Sequence, residues 1–289
     1  MTEADKSYGL LTETSGIEET RNRRLQRDLP VDIGRRWLAA GWRDLVRHPG
    51  PSLVYGAGIF LLSLGLVWLL GQLGYDYILF PALAGFMIVA PVMALGLYEK
   101  SRALEAGERV SLGRMIFVRP KAGAQVYFTG VLLCLLMLLW MRAAVLVYAL
   151  FFGIRPFPGL DHILELFLTQ PLGWAMLAVG TAIGGLFAAF AFAISVFSIP
   201  MLLDRRTDAL TAMGTSMALV WNNLVPMLAW GAVVLALFLV SLATGLIGLI
   251  VIFPWLGHAT WHAYRTVAPE PGETPAAAGP VPADAAVAG

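Results

Sequence analysis

The chain has 289 residues, of which 58% are hydrophobic and 13% charged, with a net charge of +1 and a mean hydropathy of +0.73. A soluble domain carries about 25% charged residues, so this chain lacks the charge to wet a globular surface and reads as an integral membrane protein. The same figures exclude a disordered chain, a disulfide-built scaffold (Cys134 is the single cysteine) and a nucleic-acid binder read from net charge.

Residues 1–29 are polar, hold no apolar core of the kind an export signal needs, and are expected to form a disordered cytoplasmic tail. Asp32–His48 follows as an amphipathic helix. Trp37, Leu38, Trp42, Leu45 and Val46 fall to one side, and Arg36, Arg43 and Arg47 to the other. Asp32 can cap its start and Pro49-Gly50-Pro51 ends it. Such a helix lies in the membrane interface among anionic lipid head groups, or packs under the bundle.

Apolar stretches long enough for a hydrocarbon core, about 20 helical residues, follow at Pro51–Leu73, Tyr77–Tyr98, Val126–Tyr148 and Leu172–Leu203. Ser111–Arg119 can form a short interfacial helix between the second and third. Cys134, inside the third, is expected to be a small buried hydrophobe. Leu224–Val267 is about twice one span, and Gly245 and Gly248 near its middle predict a tight hairpin of two. Ala268–Gly289, rich in Pro and Ala, is expected to be a second disordered tail. The predicted fold is therefore all-α: a polytopic bundle of six transmembrane helices over residues 30–267. Of the 20 Lys and Arg residues, 18 fall before Pro51 or in segments that share its side, which places both termini in the cytoplasm.

An internal repeat supports three units of interfacial helix plus hairpin. An offset of 175 places Pro51, Leu53, Tyr55, Gly56 and Ala57 on Pro226, Leu228, Trp230, Gly231 and Ala232. An offset of 163 places Pro91, Tyr98 and Arg102 on Pro254, Trp261 and Arg265. Units of equal orientation imply a pseudo-symmetry axis along the membrane normal.

Few residues carry chemistry. His258 and His262, four apart in GHATWH, share a helix face and could hold a metal or haem, but zinc needs a third ligand that is not evident, so no metal site and no cofactor are expected. Arg142 is the one charge well inside a span, where charge is costly, and is a functional candidate by default. Its expected partners are Asp76, Asp161 or Glu165 on the outer side. Pro91, Pro200 and Pro254 are read as breaks in the second span of each unit. Gly180, Gly184 and Gly185 offer a small-residue surface to a neighbouring helix. No phosphate loop, nucleophile elbow or zincin motif occurs.

The runs LAAGWRDLVRHPGPSLVYGAGIFLL, FPALAGFMIVAPVMALGLYEKSRALEAGE, LLWMRAAVLVYALFFG, FSIPMLLDRRTDALTAMGTSMALVWNN and GLIVIFPWLGHATWHAYR resemble a mainly proteobacterial family of integral membrane proteins with a domain of unknown function. Some of its members carry the label cytochrome c oxidase subunit. The resemblance covers roughly Ile33–Arg265 and implies class and compartment. A haem-copper catalytic subunit needs about half a dozen intramembrane histidines, and this chain has only His48, His162, His258 and His262. The expectation is therefore a non-enzymatic scaffold or accessory subunit of a membrane complex. A transporter or channel for a small or amphipathic solute is the alternative, and a metal or haem protein using His258 and His262 comes third.

Overall fold

The computed structural model describes residues 27–153 and 169–267. Among them the regular structure is helical throughout, with no strand. In chain order the helices are α1 (Ile33–Arg47), α2 (Pro49–Gln72), α3 (Leu79–Met93), α4 (Leu95–Glu105), α5 (Leu112–Ile116), α6 (Gln125–Phe152), α7 (Pro171–Ser195), α8 (Ser198–Asp204), α9 (Ala209–Asn222), α10 (Leu224–Ala243) and α11 (Leu249–Val267). Five helical stretches are long and apolar enough to cross a membrane: α2, α3 with α4, α6, α7 with α8, and α10.

The expected sixth span is α11, and its composition explains why it stands apart. Its first half, LIVIFPWL, is apolar, whereas GHATWHAYRTV carries two histidines and an arginine. That polar half is the better buried one, with Gly257, His258, Ala259, Trp261, Ala263, Tyr264 and Val267 all inside. Mean hydropathy is low there because its polar groups meet protein rather than lipid. The turn before it forms at the expected place, with Gly245 and Leu246 at φ of 63° and 69°.

Two long helices are broken, and each break is served by a hydroxyl from another helix. After Pro91, Leu97 N–H bonds the carbonyl of Ala94, which leaves the Met93 carbonyl to accept from the Tyr55 hydroxyl at 2.7 Å. Between α7 and α8 the Ser216 hydroxyl stands in for a missing rung: it accepts from Phe197 N–H at 3.1 Å and donates to the Ala193 carbonyl at 2.7 Å. Pro200 lies in the first turn of α8, where its ring would clash with the carbonyl four residues back, that of Val196. The third expected break is absent, because α11 runs unbroken through Pro254. The Ile250 carbonyl, which Pro254 cannot serve, packs instead against the Cα of Gly56, and a Cβ there would also come within 2.8 Å of Pro254 Cγ.

Helix α11 packs against α1, α2, α4, α8 and α10. The approach of α1 is close, since a Cβ on Gly41 would lie 2.5 Å from the Ala259 backbone nitrogen. Ile33, Trp37, Gly41 and Leu45 form the buried stripe of α1, with Trp37 edge-on to Trp230 at 5.4 Å. Trp42 and Val46, expected on that buried side, are 44% and 50% exposed, as Arg36, Arg43 and Arg47 also are exposed. The helix is thus seated on the bundle and still presents aromatic and basic groups outward. Asp32 makes no side-chain cap; Asp208 does so for α9, accepting from Thr211 N–H at 2.9 Å.

Three further expectations are corrected or refined. Arg27 falls inside the expected tail but is tied down, its backbone N–H to Asn223 Oδ1 at 3.0 Å and its Nε to the Val267 carbonyl at 2.7 Å. Cys134 is exposed on the outside of α6, because apolar sequence alone does not separate a lipid-facing side from a protein-facing one. Gly184 receives the Trp140 ring 3.0 Å from where a Cβ would stand, so the small-residue surface of α7 is used within the chain.

Candidate functional site

The continuation of the second span into α4 reads LGLYEKSRALE, and its charged side chains and Ser101 all meet partners. Successive helical residues point about 100° apart, so Glu99, Lys100 and Ser101 face three directions. Glu99, 3% exposed, receives Arg102 at 2.8 Å and Arg114 at 2.6 Å. Lys100, 1% exposed, donates to the His48 carbonyl and to Ser52 Oγ, both at 2.7 Å. Its ammonium thus sits on the junction of α1 and α2.

A chain of hydrogen bonds continues from there. Ser52 Oγ lies 2.9 Å from His258 Nε2, and Ser101 Oγ lies 2.9 Å from His258 Nδ1. Asp44 lies beside Ser101, whose hydroxyl helps to lower its pKa. The directions follow from what each group can give. The ammonium only donates, so Ser52 accepts from it; the same hydroxyl donates to Nε2 or accepts a second bond from Nε2–H according to the imidazole tautomer. With the ring proton on Nδ1, the imidazole accepts from Ser52 and donates toward Ser101 and the Leu97 carbonyl. Lys100, Ser52, His258 and Ser101 thus form one hydrogen-bonded chain that ends beside the Asp44 carboxylate, with Ser52, His258 and Ser101 fully buried.

The anionic end is braced by α11. His262 Nε2 reaches Asp44 Oδ2 at 2.8 Å, and its Nδ1 lies 3.8 Å from Glu105. Arg265 joins Glu105 at 3.4 Å and Asp204 at 3.7 Å. Asp204 also meets Lys121 at 3.3 Å and the Tyr264 hydroxyl at 3.2 Å. Burial pushes the Asp44 carboxyl up, but hydrogen bonds from His262 and Ser101 and the nearby imidazoles outweigh it, so its pKa is held below the ordinary 3.8.

The expected residues are distributed unevenly over this site. His258 and His262 both belong to it, although both ring nitrogens of His258 are already engaged, and among the described residues no three His, Cys, Asp or Glu side chains are grouped to hold a metal. Arg142 is elsewhere. It lies in the outward row of α6 with Leu135, Leu138, Leu139 and Leu146, each more than half exposed. Asp76 is placed in the turn Asp76–Ile78, and Asp161 and Glu165 lie outside the described residues. Lys100, Ser52, Ser101 and Asp44 were not expected. Lys100 looks like one more loop charge, and only the helical phase that carries α4 on to Glu105 turns it inward.

A cavity of about 130 Å³ opens beside the site, between α3, α7, α10 and α11. Pro91 lines it; Pro200, Pro254 and Arg142 do not.

The family described as "Predicted integral membrane protein (DUF2189)" matches residues 79–204, from α3 to α8 and less than half of the chain. No curated protein and no solved structure matches the chain. The matched stretch holds Glu99, Lys100, Ser101 and Asp204 and leaves Asp44, Ser52, His258 and His262 outside it. With its five apolar helices of membrane length, the chain is a multi-pass integral membrane protein similar over that stretch to this family.

Proposed function

We propose that this chain is a non-enzymatic accessory or assembly subunit of a membrane complex, and that it spans a proteobacterial inner membrane six times with both termini in the cytoplasm. The observation that carries the reading is Arg142. It faces outward from an apolar row of α6, with 17 helical residues before it and 10 after it, and has no ion-pair partner among the described residues. An intramembrane cation on an outer face calls for an acidic or carbonyl partner, and a neighbouring subunit supplies one. The buried polar groups of the α4 site, by contrast, are used up in fastening α1 and α11 to the bundle.

Several features favour six spans. The order of a short helix, a long apolar helix and a long helix ending in buried polar residues recurs as α1, α2, α3–α4, then α5, α6, α7–α8, then α9, α10, α11. The basic loops adjoin the short helices, in keeping with one cytoplasmic side. Exposed Arg36, Arg43 and Arg47 on α1 suit contact with anionic lipids there. The oxidase-subunit label in the resembled family fits an accessory role and adds no catalytic one.

The test is co-purification in mild detergent of the protein and of Arg142→Leu. A stoichiometric membrane partner that accompanies the first and is lost from the second, while the variant remains folded, is the expected outcome. A partner retained by Arg142→Leu, or none at all, overturns the reading. The cavity beside the breaks of the second spans favours a second reading, transport of a small amphipathic solute.

A further inference from the structure

The cavity between α3, α7, α10 and α11 is lined chiefly by apolar side chains, among them Phe86, Trp230 and Phe253. Four hydroxyl side chains also reach its wall. Two of them are satisfied by their own helices, Ser241 by the Leu237 carbonyl at 3.1 Å and Thr260 by the Leu256 carbonyl at 2.8 Å. The hydroxyls of Tyr98 and Ser195 have no hydrogen-bond partner among the described residues, although both residues are only 2% exposed. Neither oxygen is fully enclosed, so each presents its hydroxyl to the cavity, and the same wall holds the Trp230 indole N–H, which is enclosed and has no acceptor among the described residues.

The surroundings say what kind of group completes them. An apolar cavity of about 150 Å³ takes up a benzene-sized molecule and otherwise stays dry, and this one is about 130 Å³. On its outer side it is bounded by Ala188, which is exposed, and by the half-buried Phe192 and Val234 of α7 and α10. The two helices meet there through the Phe192 ring, 3.9 Å from where a Cβ of Gly231 would stand. A ligand therefore enters from the hydrocarbon of the bilayer, and its recognition group is an acceptor for an O–H donor.

We infer that this cavity is a binding site for a lipophile bearing a carbonyl oxygen, whose ring or short chain fills the apolar space while its oxygen accepts from Tyr98 or Ser195. The site is independent of the accessory-subunit reading, and it gives the transport reading a solute class without requiring flux.

The experiment uses the full chain in lipid nanodiscs with two probes of matched size, 4-fluoroacetophenone and 4-fluoroethylbenzene, followed by ¹⁹F NMR against empty nanodiscs. The carbonyl probe is expected to bind saturably and about three- to tenfold more tightly than the hydrocarbon. Tyr98→Phe with Ser195→Ala, which keeps the shape, brings the two probes to within about twofold. Ala188→Phe at the exposed mouth weakens both, and as an outward substitution it keeps the bundle intact. Diether lipids distinguish the sources: tighter probe binding there than in ester lipids makes the bilayer's own ester carbonyl the resident group, and equal binding makes it a separate small lipophile. No saturable binding beyond empty nanodiscs overturns the inference, as does a carbonyl preference unchanged in the double variant. Saturable binding without probe flux leaves the site standing and removes the transport reading alone.

Discussion

Replacing Ser101 by Ala tests whether the hydrogen-bonded chain from Lys100 through Ser52 and His258 to Ser101 holds α4 to α11. His258 is fully buried, and its Nδ1 meets Ser101 at 2.9 Å, with the Leu97 carbonyl also beside the ring. The variant therefore takes a hydrogen-bond partner from a buried ring nitrogen, at a cost of about 1–3 kcal/mol. Asp44 keeps His262 and is 15% exposed, so the loss of the neighbouring hydroxyl adds little. The expected total is about 1–3 kcal/mol. His258→Leu alone costs about 1–3 kcal/mol, because Ser52 still accepts from Lys100. With both changes no imidazole is left to strand, so the double variant should lose about 1–2 kcal/mol less than the sum. Unfolding by SDS in mixed micelles, read by tryptophan fluorescence, gives the three differences. A Ser101→Ala variant within about 0.5 kcal/mol of the parent, or strictly additive losses, refutes the chain.

Four further outcomes follow from the same geometry. Since the folded pKa of Asp44 lies below 3.8, its contribution is full above about pH 3.8 and is lost as pH falls through the folded value; Asp44→Asn should flatten that acid limb in an unfolding series against pH. Gly56→Ala pushes a methyl into the Ile250 carbonyl and should destabilise by about 1–3 kcal/mol, whereas Gly58→Ala, whose Cβ meets nothing within 4 Å, should be neutral or stabilising by up to about 1 kcal/mol; equal melting temperatures would contradict the close packing of α2 on α11. Ser216→Ala leaves Phe197 N–H and the Ala193 carbonyl unserved and should cost about 2–4 kcal/mol, with Thr restoring most of it. Tyr55→Phe should cost about 1–3 kcal/mol through the Met93 carbonyl and raise hydrogen exchange at the α3–α4 break.

Composition and hydropathy reach much of this architecture, because twenty apolar residues in a row have few other fates. They do not reach what lies at the polar ends. The run EKSRALE looks like the start of a loop, and its inward course depends on helix phase and on the presence of α11 to receive it. Spacing picked out His258 and His262, but the two serines and the lysine around His258 come from α2 and α4, about 200 and 160 residues away in the chain. Hydropathy also placed Cys134 inside, and it had no means of seeing that α6 turns that residue outward. Proline alone predicted three equal breaks; the structure has two, each where a hydroxyl from another helix is at hand, and Pro254 sits in an unbroken helix because Gly56 leaves room for the orphaned carbonyl.

The two borrowed hydroxyls differ in when they become available. Tyr55 is synthesised before the segment it serves, so the α3–α4 bend can be set as soon as that stretch emerges. Ser216 comes after Phe197, so the α7–α8 bend has to wait for the following helix to arrive. A chain arrested between Asp204 and Ser216 would hold the hydroxyl that serves the first bend and lack the one that serves the second, so the later bend is completed only once α9 is made.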